Sequence, residues 1–164
     1  GGASGAMPPL IGWVANTGTF SIEPILLFLF IFFWTPPHFW SLAIITKNDY
    51  ANAKIPMFPV LYGVKETKKW ILYYTIILIF CSQIISFSEI GGLEFFLLSN
   101  LLNATLLISA ARLTRFPTNE GFRRERRFFK FTIVYLFMYF GIVIIVSATK
   151  KLGLNVSMSW PTLF

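Results

Sequence analysis

Charge is the first thing this sequence is short of. Only 13% of its 164 residues are Asp, Glu, Lys or Arg, against about 25% in an ordinary soluble domain. With 55% hydrophobic residues and a mean hydropathy of +0.67, the chain cannot cover itself with the polar surface a soluble globule needs. Cysteine occurs once, at Cys81, which excludes an intrachain disulfide and leaves the redox compartment open. Histidine and aspartate also occur once each, at His38 and Asp49, so neither a histidine cluster nor a pair of aspartates can form within this chain. There is no basic segment ahead of the first apolar run and no initial methionine. No signal peptide is visible, and the chain reads as processed or truncated at its start.

What the sequence does have is long uncharged runs, at 1–22, 24–46, 70–88, 95–111 and 131–149. Four of them exceed the roughly 18 residues expected of a transmembrane helix, and 95–111 sits at the short limit. Stretches such as "ILLFLFIFF" and "IVIIV" do not alternate as barrel strands do. A continuous apolar run must satisfy its backbone internally, which means a helix. The fold class is therefore all-α, a polytopic transmembrane helix bundle lying in a lipid bilayer. Helices are expected at about 22–46, 69–88, 93–113 and 128–149. A shorter or kinked fifth is expected at 3–17, where Pro8 and Pro9 remove backbone donors and Gly1, Gly2, Gly5, Ala3, Ser4 and Ala6 suit close packing.

The basic residues fall mostly in two segments. Residues 47–69 hold Lys47, Lys54, Lys65, Lys68 and Lys69, and residues 112–130 hold Arg112, Arg115, Arg123, Arg124, Arg126, Arg127 and Lys130. Only Lys150 and Lys151 lie elsewhere, and the turn "SEIGGLE" is acidic. The positive-inside rule places both basic loops in the cytoplasm or its organellar equivalent, with five crossings ending outside. Topology accounts for the net charge of +7, so no nucleic-acid partner is implied.

The stretch "FFWTPPHFWSLAIITKNDYANAKIPMFPV" raises the chemical question. If its helix ran unbroken, the spacing from His38 to Asp49 would be three turns plus about 20°, placing both on one face about 16 Å apart. His38 would then lie at depth in the bilayer and Asp49 at its rim. Intramembrane ionisable groups are costly and usually face a cavity. His38 reads equally as a packing histidine hydrogen-bonded to a neighbouring helix, and Asp49 as a solvated residue capping a turn. The segment that follows, with Pro56 and Pro59 around Met57 and Phe58, is expected to fold back as an apolar, non-helical cap ringed by Lys54, Lys65, Lys68 and Lys69. A carboxylate among lysines at the mouth of an apolar cavity suits a magnesium-bound diphosphate on a greasy tail. For any one lysine, membrane anchoring remains the simpler reading.

"GGASGAMPPLIGW", "FWTPPHFWSLAI", "DYANAKIPMFPV", "GVKETKKWILYYT" and "RRFFKFTIVYLF" occur in that order. From residue 1 to about residue 145 they resemble the C-terminal half of the protoheme IX farnesyltransferase (heme O synthase) family, within the intramembrane UbiA-type prenyltransferases. The resemblance implies a nine-helix bundle, of which residues 1–164 are the last five helices and the C-terminal portion of a single domain. It implies transfer of a farnesyl group from farnesyl diphosphate to a vinyl group of heme b, with Mg²⁺ as cofactor. The active face would open to the cytoplasm or matrix of a bacterial or mitochondrial inner membrane, with room for association with terminal-oxidase assembly. Asp49 matches the start of the family's second acidic motif, as catalytic residue and metal ligand. His38 and Tyr50 match motif positions, with His38 contacting or orienting heme. Trp34, Phe39 and Trp40 would wall the porphyrin or prenyl chain, and Lys54, Lys65 and Lys69 would hold the diphosphate.

Two departures bear on this. The second carboxylate common four residues on in the wider superfamily is replaced by Ala53, as in the heme-modifying branch. The first acidic motif, an asparagine and two aspartates, belongs to the other half, so this chain alone is expected to be inactive. Two rivals are a related polyprenyltransferase acting on a quinone precursor and a non-catalytic heme- or lipid-handling membrane protein. Asn100, Asn103, Thr105 and Ser109 are expected to hydrogen-bond between helices. The sequons at Asn103 and Asn155 argue for no glycan, and the Arg123–Arg127 cluster reads as topology-setting before any contact with anionic lipid or heme propionates.

Overall fold

The computed structural model describes residues 1–119 and 121–152; the Asn155 sequon and the C-terminal end lie outside them. Two short helices open the chain, α1 (Gly2–Ala6) and α2 (Pro8–Thr17). Four long ones follow, α3 (Ile22–Ile45), α6 (Gly63–Ser86), α7 (Leu93–Arg115) and α8 (Arg123–Lys151), with α4 (Lys47–Asn52) and α5 (Phe58–Leu61) between α3 and α6. The four long helices are each long and apolar enough to cross a bilayer. The protein is thus an integral multi-pass membrane protein.

The expected fifth crossing is not made by one helix. Pro8 and Pro9 have no N–H to give, and the helix breaks at Met7. The ten residues of α2 reach about 15 Å, half the hydrocarbon thickness. Both α1 and α2 lie against α3 instead. Two further boundaries move outward from expectation: α6 begins at Gly63 and α8 at Arg123. Their first turns are charged, so sequence hydropathy dates the helix from where it enters lipid rather than from where it starts to wind.

The long helices form a ring in which α3 packs on α6 and α8, and α7 packs on both of those. The diagonal pairs, α3 with α7 and α6 with α8, make no close backbone contact. Hydrophobicity does not drive helices together in lipid; small side chains and polar bonds do. Accordingly Thr75, Ser82 and Ser86 of α6 are buried against the α7 side that carries Ser99, Asn103 and Ala110. The Asn103 amide donates to Ser82 Oγ at 2.9 Å and accepts from the Tyr135 hydroxyl at 2.7 Å, tying three helices together. Asn100 pairs with Gln83 across the same seam. Thr105 and Ser109 differ from expectation, since each bonds a carbonyl of its own helix. Rings fill the centre: Phe30 stacks on Tyr139 at 3.8 Å, with Phe95 edge-on to Tyr139. Outward, Phe80, Leu101 and Phe137 are exposed, as a lipid-facing surface requires.

Candidate functional site

Pro36 and Pro37 do not break α3, which carries Trp34, His38, Phe39 and Trp40 on its second half. The ring of His38 lies between Trp34 at 4.3 Å and Phe129 of α8 at 4.7 Å, nearly parallel to both. Its Nδ1 is 2.9 Å from Thr132 Oγ1. That hydroxyl has one proton, and it goes to the Phe129 carbonyl at 2.6 Å. It therefore accepts from His38, which puts the imidazole proton on Nδ1 and leaves the Nε2 lone pair without a partner among the described residues. The Trp34 indole N–H donates to the Thr132 carbonyl at 2.9 Å. One residue of α8 thus fixes both the ring plane and the tautomer of the only histidine. A neutral imidazole held in this way can accept a hydrogen bond or ligate a metal through Nε2.

Phe39 and Trp40 leave this cluster. Phe39 is exposed. Trp40 turns to the start of α6, tilted on Phe58 at 4.9 Å and edge-on to Tyr74 at 5.3 Å. Phe58 also meets Trp70, and Pro59 is buried. The segment after α4 therefore folds back over the ends of α3 and α6 as expected. It is not without helix, however: a proline in the first turn gives up only an N–H that has no partner there, and Phe58–Leu61 winds one turn.

Asp49 is exposed on α4, and no side chain reaches its carboxylate among the described residues. The helix does not run unbroken from His38, because Thr46 at φ −102°, ψ 22° ends α3 and starts α4 anew. The same-face geometry of the sequence lapses at that joint. The turn after α4 is well built: Ile55 N–H bonds the Tyr50 carbonyl at 2.9 Å and Lys54 N–H the Ala51 carbonyl at 3.1 Å. This is a Schellman closure with Lys54, at φ 57°, where glycine is usual. Lys54 and Lys65 are exposed, and Tyr50 is half-buried. Lys69 is bonded to Glu66 at 2.7 Å. Among the described residues no three His, Cys, Asp or Glu side chains stand together as a metal site. Asp49 can give Mg²⁺ one carboxylate, and a hydrated Mg²⁺ needs only one or two when phosphates supply the rest. The chain fits the ion in that limited sense.

Sequence reasoning passed over Thr132 and Phe129. It also missed a buried ion pair in the same basic end of the bundle. Lys68 Nζ meets Glu125 Oε1 at 2.7 Å with side-chain exposures of 5% and 1%, and Thr118 Oγ1 donates to the same oxygen. Lys68 also donates to the Phe116 carbonyl. The pair joins α6 to α8 and to the turn before it. A signal existed: Glu125 is the one acid inside "RRERR", and Phe128, Thr132, Tyr135 and Tyr139 follow one another on a single helical face.

The sequence pattern of the UbiA prenyltransferase family matches residues 1–141. Proteins named protoheme IX farnesyltransferase from Ruegeria sp. (strain TM1040) and Ruegeria pomeroyi are each 42% identical to it across 94% of the chain, which covers 51% and 50% of their lengths. A protein of the same name from Cereibacter sphaeroides (strain ATCC 17029 / ATH 2.4.9) is 40% identical over the same share. The chain spans about half the length of the curated relatives it matches. No solved structure matches it. The chain belongs to the UbiA prenyltransferase family.

Proposed function

We propose that residues 1–164 are the C-terminal portion of one intramembrane prenyltransferase domain. The whole protein would transfer a farnesyl group from farnesyl diphosphate to a vinyl group of heme b. The reading is carried by identity of about two residues in five, along nearly the whole chain, to relatives whose name is that activity. The site chemistry supports it. In the overall reaction the allylic C–O bond breaks, a C–C bond forms to the vinyl carbon, water adds to the other vinyl carbon and diphosphate leaves.

In this chain His38 would meet the heme through Nε2, while Trp34 and Phe129 hold its ring in place. Asp49 would hold Mg²⁺ at the rim with Tyr50 beside it, and the ion would stabilise charge developing on the leaving diphosphate. Lys54 and Lys65 are exposed cations free to meet phosphate oxygens; Lys69 would have to leave Glu66 to do so. Phe39 and Trp40 would border the prenyl chain. The lysine and arginine balance supports an active face on the cytoplasm or matrix side, where product would serve terminal-oxidase assembly.

The test is acceptor competition. Protein of the relatives' length, in membrane vesicles, is given labelled farnesyl diphosphate, Mg²⁺, heme b and a quinone-precursor phenol together. Label on the heme, lost on chelation of the metal, is expected. Label on the phenol alone, or hydrolysis without transfer, overturns the reading.

A further inference from the structure

A cavity of about 230 Å³ opens on the α7–α8 seam at the basic end. Arg112, Arg124 and Arg127 line it above a floor of Leu113, Phe116 and Phe128. Arg124 lies over the Phe116 ring at 4.5 Å and donates to the Pro117 carbonyl at 3.1 Å. Arg112 and Arg127 have no hydrogen bond or carboxylate partner among the described residues, and Glu125 is committed to Lys68. Three arginines thus line one space with no carboxylate among its lining residues. Arg124, in the first turn of α8, also faces the positive end of that helix's dipole, whereas Arg112 lies in the last turn of α7, where a cation is favoured.

The cavity is separate from the candidate site. His38 and Trp34 meet α8 through Phe129 and Thr132, whereas the cavity uses the face that α8 turns to α7. Below the arginines the walls turn apolar. Val134 and Met138 continue the Arg127 stripe of α8 at helical spacing, and Leu101 and Ile108 continue the Arg112 stripe of α7; all four are exposed. A cationic cup over an apolar, lipid-facing groove matches one amphiphile.

We propose that this cavity holds the phosphodiester headgroup of an anionic membrane phospholipid, with its acyl chains running down the α7–α8 seam. Guanidinium forks suit phosphate oxygens, and the apolar groove favours a lipid over a free anion. The proposal does not depend on the reaction proposed above.

The experiment is native mass spectrometry of the protein released from nanodiscs of phosphatidylglycerol and phosphatidylcholine. One phosphatidylglycerol is expected to be retained in preference. Arg112→Gln/Arg124→Gln/Arg127→Gln should weaken that retention at least about tenfold, as loss of even one charge-assisted hydrogen bond implies. Arg115→Gln/Arg123→Gln/Arg126→Gln removes equal charge outside the cavity and should keep it. Should the first triple variant fail to insert, Arg127→Lys, which keeps charge but loses the fork, should still weaken retention. Equal loss in both triple variants, no preference for phosphatidylglycerol, or displacement by inorganic phosphate at matched concentration overturns the proposal. So does an Arg124→Cys site, in a Cys81→Ser background, that a charged thiol reagent cannot reach in delipidated protein, since a protein segment would then fill the groove.

Discussion

His38 Nδ1 lies 2.9 Å from the Thr132 hydroxyl, joining residues 94 apart in sequence. The same threonine takes the Trp34 indole N–H on its carbonyl. Thr132→Val removes the first bond and leaves the second, since only the side chain changes. We expect a loss of about 1 kcal/mol in stability with Trp34 fluorescence unchanged, and near wild-type behaviour for Thr132→Ser. Detergent-phase unfolding monitored by fluorescence reads both. A shifted Trp34 spectrum in Thr132→Val would mean that the hydroxyl holds the whole cluster.

Asp49 is exposed, and its carboxylate has no side-chain partner among the described residues, so its role can be separated from folding. Asp49→Asn should leave the melting temperature of the protein unchanged, as surface substitutions do, and abolish farnesyl transfer by protein of the relatives' length. A variant that melts normally and still transfers would remove this carboxylate from the chemistry.

Lys68 and Glu125 are a different kind of pair from Lys69 and Glu66. The first is sealed, at 5% and 1% exposure; the second is open, at 51% and 47%. Lys68→Met strands a buried carboxylate and should cost about 3 kcal/mol, the low end for such pairs because this one lies at the membrane boundary. Lys68→Met/Glu125→Leu should cost less than either single change. Lys69→Ala should leave stability where it was. Denaturation of the four variants side by side gives the ranking, and a double variant worse than both singles would contradict it.

Gly91 sits where no side chain fits. A Cβ there would fall 2.1 Å from the Ser86 carbonyl oxygen, in the turn that Lys150 clamps by bonding the carbonyls of Glu89 and Gly91. Gly91→Ala should destabilise the protein by about 2 kcal/mol or more. Gly12, in the middle of α2 with nothing within 4 Å, should accept alanine with no loss. Thermal unfolding of the two variants, compared directly, checks the contrast.

The four long helices, their basic and acidic ends and the N-terminal prolines were legible because hydropathy and charge report lipid directly. Boundaries were less so: the charged first turns of α6 and α8 wind beyond the membrane, where hydropathy is silent. The end of α3 was legible where its uncharged run stops at 46, but the fresh start of α4 at Lys47 was not, since α4 buries no residue of its own. His38 and Asp49 could be singled out as the only residues of their kind. That Thr132 would orient His38 needed the α3–α8 packing, which one sequence does not carry. Lys68 looked like one anchor lysine among five; only its meeting with Glu125 sets it apart.

Under the proposed function, heme meets the α3–α8 seam around His38. An optical titration of heme b into the purified protein tests it most directly, comparing wild type with His38→Ala. A saturable Soret shift is predicted for the wild type, with affinity weakened about tenfold or more in the variant, as loss of an imidazole contact to the iron or ring edge implies. Identical spectra and affinities in the two proteins would contradict the claim and leave His38 as a packing residue.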